Sequence, residues 1–151
     1  MKKVKFLIAS LFLFGLLQAQ EPGTFNFGFN HMALSVKDVA KSAAFYKSVL
    51  QLQEITNRSK MEGIRWFALA DGRELHLVSI VKENVVTNKA IHLALTTSNF
   101  DAFVLQLEKM NVPYSDWPGI KNKVNVRADG IKQVFFQDPD GYWIEVNSVS
   151  K

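Results

Sequence analysis

Two stretches of the chain share one pattern of alternating apolar and polar residues. His31-Met-Ala-Leu-Ser-Val and His92-Leu-Ala-Leu-Thr-Thr both alternate and are rich in residues that favour strands. The interval from residue 31 to residue 92 is 61 residues. Self-similarity at such an interval predicts two copies of one structural unit.

An amphipathic segment follows each of these strands. The first begins after Asp38, which can cap a helix, and repeats apolar residues at spacings of three and four up to Leu50. The second begins after Ser98 or Asn99, either of which can cap it, and carries an apolar stripe over residues 100–110. Both segments are predicted helices.

Each predicted helix leads into three strand-like runs. In the first half these runs are about 52–58, 64–70 and 74–80, and in the second half about 112–115, 131–137 and 142–149. Asp71-Gly72 and Asp138-Pro-Asp-Gly141 are turn signals between the last two runs of each half. The pattern therefore predicts an α+β fold of two βαβββ modules in tandem, over about residues 27–80 and 91–149, which form a cleft.

Residues 1–20 fit neither module. Three lysines precede an apolar run over residues 6–17, which is too short to span a bilayer as a helix. Small and polar residues follow, so the segment is predicted to be a signal peptide, removed after Ala19 or Gln20. We expect an exported protein, periplasmic or secreted, and an uncleaved membrane anchor is the alternative.

Removal of this segment changes the charge of the protein. The whole chain has 18 basic and 14 acidic residues and a net charge of +4. The segment holds three lysines and no acidic residue, so the mature chain carries +1. That balance does not favour nucleic-acid binding or stable membrane association after cleavage. The absence of cysteine excludes disulfides, a thiol nucleophile and a thiolate metal site.

All three histidines of the chain lie in predicted strands. His31 and His92 occupy equivalent positions of the repeat. His76 lies in the last strand of the first module, and Glu145 in the last strand of the second. Because strand side chains alternate between faces, these residues point away from the apolar residues that pack under the helices. Three imidazoles and one carboxylate suit a divalent transition ion, such as Zn²⁺, Ni²⁺, Fe²⁺, Mn²⁺ or Co²⁺. Glu74 shares the face of His76 and is an alternative ligand.

Aromatic residues near these positions could wall the cleft. The candidates are Phe67, Trp117, Phe136 and Trp143. For Phe67 and Phe136 we favour packing in the core instead.

Four motifs make the chain similar to the vicinal oxygen chelate superfamily, which includes glyoxalase I, fosfomycin-resistance proteins and extradiol dioxygenases. They are Asn30-His31-Met-Ala-Leu-Ser-Val-Lys-Asp, Leu75-His76-Leu-Val, Ile91-His92-Leu-Ala-Leu and Asp138-Pro-Asp-Gly-Tyr-Trp-Ile-Glu145-Val. The resemblance covers about residues 27–148 and implies one ion held by His31, His76, His92 and Glu145. Glyoxalase I proper usually has a carboxylate where this chain has His76.

The resemblance implies a metal-dependent lyase or isomerase that acts on a small molecule. The ion would bind two neighbouring substrate oxygens and stabilise an enediolate after proton removal beside a carbonyl. Glu145 is the first choice for the base and Glu74 the second. The alternatives are a protein that sequesters a small molecule such as an antibiotic, and an Fe²⁺ extradiol dioxygenase if His76 is not a ligand. The modules could pair within one chain or across a homodimer.

Overall fold

The computed structural model describes residues 28–81 and 83–149. Module one contains β1 (His31–Ser35), α1 (Val39–Ser48), β2 (Glu54–Ile55), β3 (Ile64–Ala68) and β4 (Glu74–Val78). Module two contains β5 (His92–Thr96), α2 (Phe100–Lys109), β6 (Tyr114–Ser115), β7 (Asn125–Val126), β8 (Lys132–Gln137) and β9 (Trp143–Asn147). The predicted signal peptide, residues 1–20, lies outside the described residues.

Each module is one helix packed on one sheet. The strand order is β1-β4-β3-β2 in module one and β5-β9-β8-β6 in module two, with the short strand β7 paired to β8. β1 runs parallel to β4 in module one, and β5 runs parallel to β9 in module two. The other pairings are antiparallel. The predicted α+β fold with two βαβββ modules is confirmed. β1 and β5 each lie at one edge of their sheet.

Helix α1 begins where the sequence predicts it. The Asp38 carboxylate accepts hydrogen bonds from the backbone N–H groups of Ala40 and Lys41, at 2.9 and 3.1 Å. Helix α2 begins after Asn99, whose side chain makes no capping hydrogen bond. Instead, the hydroxyl of Thr97 accepts from the Asn99 N–H at 3.1 Å. Both helices bury one face against their sheet.

Alternation along the last strand of each sheet separates core from site. Leu75 and Leu77 are fully buried in the core, and His76 between them lies on the opposite face. Likewise Ile144 and Val146 belong to the core on either side of the polar residue between them. We call the sheet surface that faces away from the helices the open face.

Hydrogen bonds join the β8–β9 hairpin of module two to module one. Tyr46 Oη donates to Asp138 Oδ2 at 2.8 Å, and Tyr142 Oη donates to the carbonyl of Ser35 at 3.0 Å. Burial raises the pKa of Asp138, although the Tyr46 hydroxyl opposes this shift. The predicted turn is present, since the Gly141 N–H donates to the Asp138 carbonyl at 3.1 Å. The hairpin thus anchors the two modules to each other. No helix among the described residues is long and apolar enough to cross a membrane.

Candidate metal centre

The four predicted ligands lie on the open faces of the two sheets as two pairs. We call them the module-one half-site, with His31 and His76, and the module-two half-site, with His92 and Glu145. Within residues 28–81 and 83–149, no group of three or more His, Cys, Asp or Glu side chains is placed to hold a metal ion. Among the described residues the four predicted ligands therefore lie as two pairs, and the four-ligand site stays a prediction.

The strand registers show which residues of the two modules correspond. In module one, Ala33 of β1 lies opposite His76 of β4. In module two, Ala94 of β5 lies opposite Glu145 of β9. His76 and Glu145 are thus structural counterparts, at the same position of the last strand and on the same face.

Glu74 occupies a different position of this repeat. It lies opposite His31 in the β1–β4 pairing. Its counterpart in module two is Trp143, which lies opposite His92. Because an indole ring is not a metal ligand, the internal repeat favours His76 over Glu74 as the predicted ligand.

Glu74 links His76 to Arg58. His76 Nε2 donates to Glu74 Oε2 at 2.8 Å, and the Arg58 guanidinium donates to Glu74 Oε1 at 2.7 Å. These two hydrogen bonds, that from His76 having the larger effect, lower the pKa of Glu74. The Glu74 carboxylate is therefore ionised and oriented. Its hydrogen bond, however, engages His76 Nε2, the ring nitrogen that would face an ion.

A stack of planar groups fixes the orientation of the His76 ring. Its centroid lies 4.1 Å from that of Trp66 with an angle of 4° between the planes, and 4.3 Å from that of His31 with an angle of 16°. The Arg58 guanidinium lies 4.5 Å above the indole of Trp66. Stacking of this kind restricts the ring without using its nitrogens.

The two repeat-related histidines are oriented through the same ring nitrogen. His31 Nδ1 lies 2.7 Å from Asn30 Oδ1, and His92 Nδ1 lies 2.9 Å from the carbonyl of Lys89. An oxygen acceptor at Nδ1 places a proton there and leaves the Nε2 lone pair for another partner.

Glu145 is held by one of its two oxygens. Oε1 accepts from Gln133 Nε2 and from Asn147 Nδ2, both at 2.7 Å, while Oε2 lies 3.3 Å from His92 Nε2. The residue is 6% exposed, so these donors compensate a carboxylate that has largely lost water. Its second oxygen is directed at the neighbouring histidine.

This geometry fits a cation between His92 and Glu145. With its proton on Nδ1, a neutral His92 ring presents a lone pair at Nε2 to a carboxylate oxygen, so two acceptors face each other. A cation between them, whether a proton or a metal ion, stabilises the pair. The nitrogen and oxygen donors suit a divalent transition ion. His31 can contribute in the same way, whereas His76 must first release Glu74.

The sequence model of the Glyoxalase/Bleomycin resistance protein/Dioxygenase superfamily matches residues 28–146. The chain belongs to this superfamily.

Individual members of the superfamily are similar over most of the chain. The uncharacterized protein YwbC of Bacillus subtilis (strain 168) is 27% identical over 122 residues, which cover 77% of this chain and 93% of YwbC. The metallothiol transferase FosB of Shouchella clausii (strain KSM-K16) is 28% identical over 127 residues, covering 80% of each. A glyoxalase/dioxygenase from Nostoc punctiforme, 23% identical, superposes with a TM-score of 0.64 and covers 96% of this chain and 100% of its own; this similarity shows the fold.

The aromatic candidates divide between core and site. Phe67 and Phe136 are 0% and 1% exposed and pack in the core, as expected. Trp117 lies on the open side, with its ring centroid 6.3 Å from that of His92. Phe135, which the sequence reasoning did not select, lies closer to His92, at 5.7 Å and nearly perpendicular. Strand alternation could have selected Phe135, since it lies two residues from Gln133 on the same face.

Other contributors carried weaker signals. Alternation along β9 places Asn147 on the face of Glu145. Gln133 lies opposite Asn147 in the β8–β9 register, so knowledge of that pairing would have found Gln133. Arg58 lies beyond β2, although the sequence predicts a strand over about 52–58, and Lys89 lies in the linker between the modules, where no periodicity indicates the direction of a side chain. Only the folded chain places them at the half-sites.

A large groove, with a volume of about 1000 Å³, lies between the two modules of this protein. Apolar side chains from both modules line it, among them Met32, Leu52, Leu93 and Phe103. His92 of the module-two half-site lies on its wall. A concave and mostly apolar surface with a few polar groups is typical of small-molecule sites.

Proposed function

We propose that this protein is an exported, metal-dependent lyase or isomerase whose active centre is completed by a second copy of the chain. Its substrate would be a small molecule with two neighbouring oxygens. The observation that carries the proposal is the pair of half-sites in matching strand registers, one with His31 and His76 and the other with His92 and Glu145. Each half-site has two of the donors that a four-ligand site requires.

The edges of the sheets support assembly from two copies. β1 and β5 carry the two repeat-related histidines, and in the part of the chain that the structure describes no strand pairs with their outer edges. An unpaired edge presents backbone N–H and C=O groups to a partner. Apolar residues of the segment that precedes β5 are also exposed, with Val86 at 91% and Ile91 at 62%. In a twofold dimer, module one of each copy would meet module two of the other, which gives two equivalent sites.

Glu145 is the base that the geometry favours. Gln133 and Asn147 hold its Oε1, so Oε2, once released from the ion, would take a proton from the substrate carbon beside a carbonyl. In an isomerase the same oxygen returns the proton to the adjacent carbon. Glu74 is the weaker candidate, because its lowered pKa reduces its basicity. A divalent ion bound between the half-sites would supply Lewis-acid polarisation of the two substrate oxygens.

The predicted export narrows the substrate. Glutathione is a cytosolic thiol, whereas the N-terminal segment is typical of an exported chain. We therefore propose a substrate that chelates the metal ion through two neighbouring oxygens and is not a glutathione adduct. Fractionation of the native host, with N-terminal sequencing of the mature protein, tests this part of the proposal independently of its chemistry.

Complementation between two inactive variants tests the shared site. The first variant carries His31→Gln with His76→Gln, and the second carries His92→Gln with Glu145→Gln. We expect each variant refolded alone to bind no Zn²⁺. Refolded together, random pairing makes half of the dimers mixed, and each mixed dimer has one intact site, so bound Zn²⁺ should return to about a quarter of the wild-type amount.

Two outcomes would contradict the proposal in different ways. Wild-type protein that takes up no transition metal and is not thermally stabilised by Zn²⁺ or Ni²⁺ would favour a protein that only sequesters a small molecule. Wild-type metal binding with no recovery in the mixture would place the whole site in one chain.

A second function is favoured by one specific contact. Because Glu74 occupies His76 Nε2, the remaining donors are His31, His92 and Glu145. Two histidines and one carboxylate are the ligand set of non-haem Fe²⁺ oxygenases. Anaerobic reconstitution with Fe²⁺, followed by oxygen uptake with a catechol, tests this alternative. Turnover that survives His76→Gln would support it over the lyase.

A further inference from the structure

Lys89 lies in the linker that joins the two modules, three residues before His92. Its ammonium group donates to three oxygens: Ser115 Oγ at 3.0 Å, the carbonyl of Asp116 at 2.5 Å and the carbonyl of Trp117 at 3.1 Å. A lysine ammonium has three donors, so all of them are used. The side chain is therefore bound at a defined place, unlike most lysines of surface linkers.

Aromatic rings surround the same ammonium group. Lys89 Nζ lies 4.8 Å from the ring centroids of Phe135 and Trp143 and 5.9 Å from that of Trp117. These rings attract a cation through their faces. The enclosure removes water, and this desolvation lowers the pKa of Lys89, although the charge of Asp116 opposes it. We call this enclosure, formed by residues 115–117, Phe135 and Trp143, the lysine pocket.

The backbone of Lys89 acts on the module-two half-site. Its carbonyl accepts from His92 Nδ1 at 2.9 Å. A carbonyl has no proton to donate, so Nδ1 carries one, and Nε2 is left facing Glu145 Oε2 at 3.3 Å. One residue thus has its side chain anchored in the lysine pocket and its carbonyl bound to a predicted ligand.

Module one orients its histidine without such an anchor. There the acceptor for His31 Nδ1 is the side chain of Asn30, the preceding residue in the chain. In module two the preceding residue is Ile91, which has no polar side chain, and the acceptor is a backbone carbonyl of the linker. A linker carbonyl holds its place only if the linker itself is held.

We propose that Lys89 is a positioning residue of the metal centre: its ammonium, bound in the lysine pocket, fixes the carbonyl that orients His92. The expected effect on metal affinity rests on the proposed metal site. The orientation of the ring, however, is measurable in metal-free protein. Partners outside a metal's own ligands typically change metal affinity by about 10- to 100-fold when they are removed.

The test compares Lys89→Met with wild type. Methionine keeps an unbranched side chain of similar length but removes the charge and the three hydrogen bonds. In metal-free protein at mildly alkaline pH, we expect the His92 Nδ1 proton to exchange with water at least about tenfold faster in the variant, as seen by ¹H–¹⁵N NMR of the imidazole. Zn²⁺ affinity should fall about tenfold. The His31 and His76 rings serve as internal references.

Lys109→Met, on the exposed side of α2, is the matched control and should leave both measurements unchanged. Ser115→Ala, which removes one of the three acceptors, should shift both in the same direction by less, and it decides the question if Lys89→Met does not fold. Unchanged His92 exchange in both Lys89→Met and Ser115→Ala overturns the inference. Faster exchange in a protein that binds no metal supports it while contradicting the proposed function.

Discussion

The two modules share one strand register but surround the corresponding ligand positions with different chemistry. In module two, Gln133 and Asn147 lie opposite each other on β8 and β9, and both donate to Glu145. A buried carboxylate requires donors of this kind, because desolvation would otherwise favour its neutral form. Module two is therefore built to hold an anion.

Module one replaces these donors with apolar residues. At the corresponding positions, Ile64 and Val78 lie opposite each other on β3 and β4, beside His76. There, stacking against Trp66 and one hydrogen bond to Glu74 orient the His76 ring. The repeated backbone thus places His76 and Glu145 at equivalent positions, and the neighbouring side chains determine whether the predicted ligand there can be ionic.

The largest expected effect is a loss of Zn²⁺ affinity when the buried carboxylate of module two is changed. Glu145→Gln removes the charge from the buried side chain that faces His92, so we expect at least about a hundredfold loss of Zn²⁺ affinity, or about 2.7 kcal/mol. Competition with a chromophoric chelator measures it. Glu62→Gln, at an exposed position of module one, is the control. Equal affinities for the two variants would remove Glu145 from the site.

The turns of the two hairpins also differ, and the contacts of the β8–β9 turn are expected to contribute to the free energy of unfolding. The β8–β9 turn carries the buried Asp138, whereas a single 3₁₀ turn over Ala70–Gly72 joins β3 to β4. Tyr46→Phe deprives that carboxylate of a donor from α1 and should lower the free energy of unfolding by about 2 kcal/mol. Urea denaturation measures it. Tyr142→Phe, which loses a bond to a neutral carbonyl, should cost about 1 kcal/mol. The reverse order would show that the Asp138 contact is not the stronger link.

Substitution at register-equivalent positions tests the difference in donors directly. Gln133→Leu removes one of the two donors to Glu145, so Zn²⁺ affinity should fall about tenfold. Ile64→Leu changes the corresponding position of module one, where no donor is lost, and should leave the affinity unchanged. Titration of both variants under one set of conditions makes the comparison. A similar loss in both would mean that packing, rather than hydrogen bonding, accounts for the effect.

The smallest expected effect concerns the neighbour of His76. Glu74→Gln keeps the shape of the side chain and removes the charge that holds His76 Nε2, so we expect Zn²⁺ affinity to change less than for Gln133→Leu. His76→Gln should lower the affinity much more, because the register makes His76 the counterpart of Glu145. Zn²⁺ titration of the two variants decides between them. The opposite ranking would make Glu74 the ligand and bring the site closer to that of glyoxalase I proper.

Much of this architecture follows from local pattern. Alternation along β4 predicts that Leu75 and Leu77 point to the core and His76 to the open face, because successive strand residues face opposite sides. The repeat of His31 and His92 predicts two copies of one module, and the fold confirms them. The start of α1 follows from the carboxylate of Asp38, which caps the first turn.

What the sequence by itself determined is thus the set of elements, their faces and the candidate ligands, since these depend on residues close together in the chain. Tertiary structure alone decided the pairing of strands, which makes His76 rather than Glu74 the counterpart of Glu145. It also decided that, among the described residues, the predicted ligands lie as two pairs, and that the pocket for Lys89 comes from residues 26 or more positions away. Such contacts depend on how the sheets and loops pack, and periodicity along the chain does not predict that packing.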